Sequence, residues 1–283
     1  TVGRNVTLDG ALITGGDFTA KVGNDFTANG ALTTGGNFTA NVAHDLTAND
    51  AVTVGADFAA IVGNEAVTNG IVTTNGALKW NVGKDLTTNA AVLSHGTTTI
   101  DAQNVKLSAD LMSDKNLTIT AKNNIFTKEG TNLYTKSDGR LKAHTADLGG
   151  DVRADGTLTI ETDEQLAAKN IIAGGDAVLN AGANLIANDV SVTGDTSLTA
   201  GANLTANNVT TGGNLTAQGG SDLSAKNINA GANATVTAGA NLTANALAVG
   251  GTADLHAGKA MDTGAISAGT VKLHAADGHI YAH

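Results

Sequence analysis

The sequence contains no cysteine and no proline, and only 3% of its 283 residues are aromatic. Without cysteine the chain has neither a disulfide framework nor thiolate chemistry. So few large side chains cannot fill a wide core at the packing density of folded proteins, and an ordinary compact enzyme domain is not expected. Any interior must be narrow, which predicts an elongated fold.

Basic residues are also scarce, since 16 Lys and Arg face 26 Asp and Glu and the net charge is -10. This balance argues against a nucleic-acid partner and against a polybasic membrane anchor. No apolar run approaches the roughly 20 residues of a membrane-spanning helix, so we do not expect membrane insertion. The start at Thr1 resembles no signal peptide, and we expect an internal fragment of a longer chain.

Internal repeats dominate the sequence. Residues 1–100 repeat with a period of 20, and residues 170–283 repeat with a period of 19. Two columns of the first segment are Val2, Val22, Val42, Val62, Val82 and Phe18, Phe38, Phe58, Leu78, and one glycine column of the second is Gly182, Gly201, Gly220, Gly239, Gly258. The shorter period predicts that one corner of each later repeat is tighter.

Within a repeat, apolar or small residues alternate with polar ones, which is typical of β-strands. The alternation breaks three times per repeat, at groups such as Gly23-Asn24-Asp25 whose residue types accept a positive φ. Three short strands and three corners, superposed in every repeat, predict an all-β parallel β-helix of about 14 coils. The missing proline agrees, because each strand must donate its N–H groups to the next coil.

We therefore interpret residues 1–283 as a single β-helical shaft, right-handed by the rule for parallel crossovers. Residues 1–100 form regular 20-residue coils, 101–169 irregular and more basic coils, and 170–283 regular 19-residue coils. Corner asparagines are expected to share amide hydrogen bonds from coil to coil. A local helix over Glu164–Lys169 is the one alternative, although the frequent Gly, Thr, Val and Asn elsewhere oppose helix formation.

Recurring units of the type G-x-N-L-T-A carry a resemblance to a known family. They include Gly36-Asn37-Phe38-Thr39-Ala40 and Gly201-Ala202-Asn203-Leu204-Thr205-Ala206. In this respect the chain resembles the repeat region of filamentous haemagglutinin-like adhesins, the exoproteins of two-partner secretion systems, which include contact-dependent inhibition proteins. The resemblance covers nearly the whole chain.

This resemblance implies a right-handed β-helical shaft that is secreted to a Gram-negative cell surface through an outer-membrane two-partner transporter. It implies a structural role, in which the shaft projects adhesive or toxin modules and contributes to cell adhesion. The Asn-Pro motifs of the family's secretion domain cannot be present in a chain without proline, and no toxin region is apparent. The expected part is shaft alone.

One corner of the early repeats is predicted to carry an acidic column, made of Asp25, Asp45, Glu65 and Asp85. Carboxylates on adjacent coils lie about 5 Å apart, and like charges at that spacing repel by about 1 kcal/mol in water. A bridging Ca²⁺ ion is one interpretation of the column. The other is that these side chains accept hydrogen bonds from turn N–H groups and need no cofactor at all.

Residues 101–169 carry nine of the sixteen basic residues and are the compositionally distinct region. A second hypothesis is that they present a basic, partly aromatic patch to a glycan or receptor on a host or bacterial cell. Its candidate residues are Lys122, Lys128, Tyr134, Lys136, Arg140 and Lys142. Parallel β-helices also include polysaccharide-degrading enzymes, but no column supplies a unique acid and base pair, so we predict no catalytic activity.

Overall fold

The computed structural model describes residues 1–283 and contains 32 β-strands and no helix. The strands pair in parallel and stack as a β-solenoid of about 15 turns, which confirms the predicted parallel β-helix. The chain divides into two compact units, Thr1–Ala143 with Leu148–Gly150, and His144–Asp147 with Asp151–His283. A single continuous shaft across both units stays a prediction.

The strands of the first unit are short and evenly spaced. They are β1 Val6–Leu8, β2 Leu12–Thr14, β3 Phe18–Val22, β4 Phe26–Ala28, β5 Leu32–Thr34, β6 Phe38–Val42, β7 Leu46–Ala48, β8 Val52–Val54, β9 Phe58–Val62, β10 Ala66–Thr68, β11 Val72–Thr74, β12 Leu78–Val82, β13 Asp85–Thr88, β14 Val92–Ser94, β15 Thr98–Leu107, β16 Leu111–Ser113, β17 Leu117–Thr127, β18 Leu133–Thr135 and β19 Gly139–Ala143.

Each early coil contains three strands, for example β6, β7 and β8, and every strand pairs with its equivalent in the next coil. The register equals the repeat, because Phe38 pairs with Phe58 and Leu46 with Ala66. Alternate residues are buried and exposed along β6. The period read from the sequence is therefore the distance along the chain between residues that touch.

Stacked aromatic rings fill the interior of the early coils. The ring centroids of Phe18 and Phe38 are 5.3 Å apart, and those of Phe38 and Phe58 are 5.0 Å apart with nearly parallel planes. Small residues two positions later, such as Ala40 and Ala60, leave the space that each ring occupies. The core of these coils is built by stacking each inward side chain on its equivalent in the next coil.

The irregular stretch keeps the coil in the first unit. Strands β15 and β17 each combine two strands of a regular coil, and β17 pairs with β15 and with β19. The irregularity is a longer corner between β17 and β18, where Thr131 N–H donates to Lys128 O at 2.9 Å. Gly130 in this corner has φ +80°, the one positive φ in the chain.

The second unit has longer strands. Strand β20 Thr145–Ala154 contains residues of both units, and the others are β21 Leu158–Thr162, β22 Leu166–Ala173, β23 Ala177–Ala181, β24 Leu185–Val192, β25 Thr196–Ala200, β26 Leu204–Thr211, β27 Leu215–Gly219, β28 Leu223–Ala230, β29 Ala234–Ala238, β30 Leu242–Ala257, β31 Met261–Ala275 and β32 Ile280–Ala282. Residues 166–169 are strand, so the alternative of a local helix is wrong.

The tighter corner predicted for the 19-residue repeats is present. Strands β24, β26 and β28 are eight residues long, with two adjacent exposed residues where a regular coil has a separate corner. In β24 these are Asn188 and Asp189, which replace a three-residue corner of the type Asn29-Gly30-Ala31. One residue is lost there, and the two strands join into one bent strand.

Corner glycines are required for a reason other than the one predicted. No corner glycine except Gly130 has a positive φ, so the expectation that the corners contain glycine because they need a positive φ is wrong. A methyl group placed on Gly220 would overlap the carbonyl oxygen of Gly201, and the same holds between the other successive glycines of that column. The column is glycine because adjacent coils approach too closely for a side chain.

Candidate functional site

The acidic column lies at one corner of successive coils in the first unit. Asp25, Asp45 and Asp85 are half-buried and Glu65 is exposed. Asp25 Oδ1 accepts the backbone N–H of Asp45 at 3.3 Å, and Asp45 Oδ1 accepts that of Glu65 at 3.1 Å. The side chain of Asn104 donates to Asp85 Oδ1 at 2.7 Å. The first two contacts are the hydrogen bonds from turn N–H groups that the second interpretation predicts, whereas the third comes from a side-chain amide.

A second column, which the sequence reasoning missed, stands beside the acidic one. It consists of Arg4, Asn24, His44, Asn64 and Lys84, each one residue before a member of the acidic column or before Asn5. Backbone hydrogen bonds of 2.9 Å join Asn64 to His44 and Lys84 to Asn64, so these residues stack. Arg4, His44 and Lys84 therefore lie at the same corner as the carboxylates.

No group of three or more His, Asp or Glu side chains in the structure has the arrangement of a metal site. In the acidic column both carboxylate oxygens of Asp25 and one oxygen each of Asp45 and Asp85 already accept hydrogen bonds. Calcium binding by Asp25, Asp45, Glu65 and Asp85 stays a prediction.

The stacked amides of the corners confirm the expected hydrogen bonding from coil to coil. The side-chain amide of Asn49 donates to Asn29, and that of Asn69 donates to Asn49, both at 2.8 Å.

The six residues proposed to bind a partner do not share one strand face. Arg140 and Lys142 project from β19 and are exposed, whereas Tyr134 lies on β18 and is half-buried. Lys122 is exposed at the bend within β17, and Lys128 is exposed at the start of the longer corner. The candidate residues are thus distributed around the coils, and their role in partner binding stays a prediction.

Lys136 is part of an ion-pair ladder at one corner of three coils. Its Nζ lies 2.6 Å from Asp114 Oδ1, and His95 Nδ1 lies 2.7 Å from Asp114 Oδ2. The hydrogen bond with His95, and then that with Lys136, hold the pKa of Asp114 below the usual carboxyl value. A negative partner for Lys136 would have to compete with Asp114.

Outward apolar side chains stand beside this ladder. Leu93, Met112 and Tyr134 pair in register on β14, β16 and β18, two residues before His95, Asp114 and Lys136 respectively. Met112 is 38% exposed, while Leu93 and Tyr134 are half-buried. This short apolar row is a feature of the irregular region that column analysis of the interior did not reveal.

An open polar groove lies in the second unit along the bends of β24, β26, β28 and β30, and we call it the amide groove. It is formed by two neighbouring columns of exposed side chains, Asn188, Asn207, Lys226, Asn245 and Asp189, Asn208, Asn227. The pairs Asp189–Asn208 and Asn208–Asn227 are in register across adjacent coils. Only the tertiary structure identifies it, because the sequence pattern marks these positions simply as outward.

Hydrogen bonds within the columns orient the amides of the groove. Asn208 Nδ2 donates to Asp189 Oδ1 at 2.6 Å, and Asn227 Nδ2 donates to Asn208 Oδ1 at 2.7 Å. In the other column Asn207 Nδ2 donates to Asn188 Oδ1 at 3.2 Å. The side chains are thereby held in repeated, similar orientations before any ligand arrives.

Comparison with protein families, with curated proteins and with solved structures finds no match to this chain. The structure contains no helix that is long and apolar enough to cross a membrane. The assignment of function therefore depends on the repeat architecture and on the surfaces described above.

Proposed function

We propose that the chain is a structural shaft segment of a large secreted bacterial exoprotein that projects adhesive or toxin modules from a Gram-negative cell surface. The observation that carries this proposal is the repeat-long register, in which each strand of a coil pairs with the equivalent strand of the next. Such an architecture contacts only its nearest neighbours, so coils can be added or removed without redesign of a distant core.

The likeness of the G-x-N-L-T-A units to filamentous haemagglutinin-like adhesins supports the location and the export route. Under this proposal the chain crosses the outer membrane through its two-partner transporter and folds outside the cell. The absence of cysteine suits such export, because no disulfide has to form for the coils to stack. The shaft has no catalytic role in this proposal.

A test of the shaft is to shorten it by one coil and measure the change in length. The outward residues Thr7, Thr27, Thr47, Val67, Thr87 and Lys106 form one column over five coil steps. Spin labels on Thr7→Cys and Lys106→Cys are expected to be about 24 Å apart, because strands pair at about 4.8 Å. The labels attach only at the two introduced cysteines, because the chain has no cysteine of its own.

Deletion of residues 43–62 removes one coil and is expected to shorten this distance by about 5 Å while the distribution stays narrow. Deletion of residues 43–52 removes half a coil and serves as the control, because it moves inward residues out of register. The shaft proposal fails if the one-coil deletion unfolds the protein or broadens the distance distribution as much as the control does.

The second candidate function is adhesion through residues 101–169, and the longer corner between β17 and β18 favours it. This corner interrupts the repeat beside the exposed Lys128 and the row of Leu93, Met112 and Tyr134. Binding of the chain to a glycan array and to intact cells should be compared with that of a variant in which regular coils replace residues 101–169. Binding by the native chain alone supports adhesion through this region, whereas equal binding by both proteins contradicts it.

A further inference from the structure

We propose that the amide groove binds a neutral, hydroxyl-rich carbohydrate chain that runs along the groove across successive coils. The site lies outside residues 101–169 and does not depend on the shaft proposal. Its lining is polar and exposed, and its asparagines come from three adjacent strands, β24, β26 and β28, and from the start of β30.

The amide chemistry suits hydroxyl groups. A carboxamide has two N–H donors and an oxygen with two lone pairs. In the column through Asn208, its side chain donates one N–H to Asp189 and its oxygen accepts one from Asn227. One donor and one acceptor site therefore stay available, and a sugar hydroxyl, which both donates and accepts, can use both.

The charge of the groove selects against strongly charged ligands. Lys226 and Asp189 are the two charged members of the lining, and their opposite signs cancel. A polyanion could form an ion pair only with Lys226, and a polycation only with Asp189. The lining also contains no aromatic ring on which a sugar could stack, so no single contact in the groove is strong.

Repetition compensates for the weak individual contacts. Taken together, the two columns offer at least one amide in every coil of the groove, at intervals of about 4.8 Å. A polymer that repeats its hydroxyl groups can engage several coils at once, and each additional contact is then intramolecular. Since the hydrogen bonds within the columns already orient the amides, little side-chain entropy is lost on binding. We expect affinity to rise with the length of the oligosaccharide.

The test is a titration of the full chain with neutral glucose oligomers of β-1,4 and α-1,4 linkage, each as a length series from disaccharide to octasaccharide. A sulfated octasaccharide is the charged comparator, measured at low and at high salt. The expected result is binding of at least one neutral series, with an affinity that increases about 2–10-fold for each further coil engaged. Absence of binding by both neutral series, or binding of the sulfated ligand alone, overturns the proposal.

A matched pair of variants separates a ligand site from structural bonding. The groove variant is Asn188→Ala with Asn207→Ala, and the control is Asn184→Ala with Asn203→Ala. Both remove one amide-to-amide bond of 3.2 Å between the same two coils. The control also removes the bonds that its side-chain oxygens accept from the backbone N–H groups of Asn203 and Asp222, so it is the more severe structural change. The groove variant is expected to weaken oligosaccharide binding at least about tenfold while the control binds like the native chain. Equal weakening by both variants would show that the groove amides act only through stability.

Discussion

The rings of Phe58 and Trp80 lie on adjacent coils with their centroids 4.7 Å apart, although their positions in the repeat differ by two residues. Phe58 pairs with Leu78, and Trp80 pairs with Ala60, one of the small residues of the interior. In several later coils the larger side chain likewise occupies the later position, as in Ile100 after Thr98 and Leu141 after Gly139, whereas Leu215 before Ala217 returns to the earlier one. The core keeps its volume by exchanging large and small side chains between two columns.

Trp80 should consequently be sensitive to truncation. Trp80→Ala leaves a cavity above Ala60 and is expected to destabilise the fold by about 3–5 kcal/mol. Trp80→Phe keeps most of the ring and removes Nε1, which is buried without a hydrogen-bond partner. We expect it to cost far less than the alanine variant, as measured by denaturant unfolding. A similar loss in both variants would contradict the volume argument.

Two buried threonines should respond in opposite directions to replacement by valine. The hydroxyl of Thr88 is buried without a partner, whereas that of Thr74 donates to Gly76 O at 2.9 Å. Thr88→Val is expected to be neutral or stabilising by about 1 kcal/mol, because it removes an unsatisfied polar group. Thr74→Val is expected to destabilise by about 1–2 kcal/mol. The melting temperature of each variant is compared with that of the native chain. The prediction fails if both variants shift in the same direction by the same amount.

The glycine column of the second unit should not tolerate a methyl group. Gly220→Ala is expected to destabilise by about 1–3 kcal/mol, because the added carbon overlaps Gly201 O and forces the coils apart. Gly16→Ala is the control, since no atom lies within 4 Å of its added carbon. Thermal unfolding followed by circular dichroism measures both. Equal melting temperatures would mean that the coils can separate without cost.

The ion-pair ladder predicts a pH dependence. Because His95 and then Lys136 lower the pKa of Asp114 in the folded chain, the carboxylate contributes stability above its unfolded pKa. That contribution is lost as the pH falls through the folded pKa. NMR titration of Asp114 should give a low pKa in the native chain and a higher one in His95→Ala, with a smaller rise in Lys136→Met. An unchanged value in His95→Ala would disprove the role of this hydrogen bond.

The acidic column can be tested with Asp45→Asn. The amide oxygen preserves the acceptor for Glu65 N–H, while the like-charge repulsions with Asp25 and with Glu65 both disappear. Without calcium the variant is therefore expected to gain up to about 1 kcal/mol for each of the two pairs at low salt. If the column binds Ca²⁺, millimolar calcium should raise the melting temperature of the native chain and have less effect on the variant. A melting temperature of the native chain that does not respond to calcium would contradict the calcium prediction.

Much of the fold was predictable because the contacts of a β-solenoid recur at a constant chain separation. Phe38 and Phe58 occupy one column of the sequence and touch in the structure for the same reason. The corner amides were predictable on the same grounds, since residues such as Asn29 and Asn49 recur at the same corner of successive coils. The positions of Asp25, Asp45, Glu65 and Asp85 at one corner also follow from the period.

The surface features were harder to predict from the sequence, because a column of equivalent positions shows only residues that recur in every repeat. The candidate partner-binding residues of the irregular region lack that repetition, and the structure distributes Lys122, Tyr134 and Arg140 over different strands. The ion pairs of Asp114 depend on single side chains that occur once at their corner. The basic column through His44 was missed because its members alternate with asparagine.

By itself, the sequence determined that this chain forms strands, turns corners and stacks its repeats. Alternation shows which residues of a strand point inward, and the constant period shows which residues of successive coils are paired. Only the tertiary structure decided how closely the coils approach at Gly201 and Gly220, and which outward columns lie side by side to form the amide groove. Those relationships depend on the bend of the backbone between strands, and a periodic pattern does not specify that geometry.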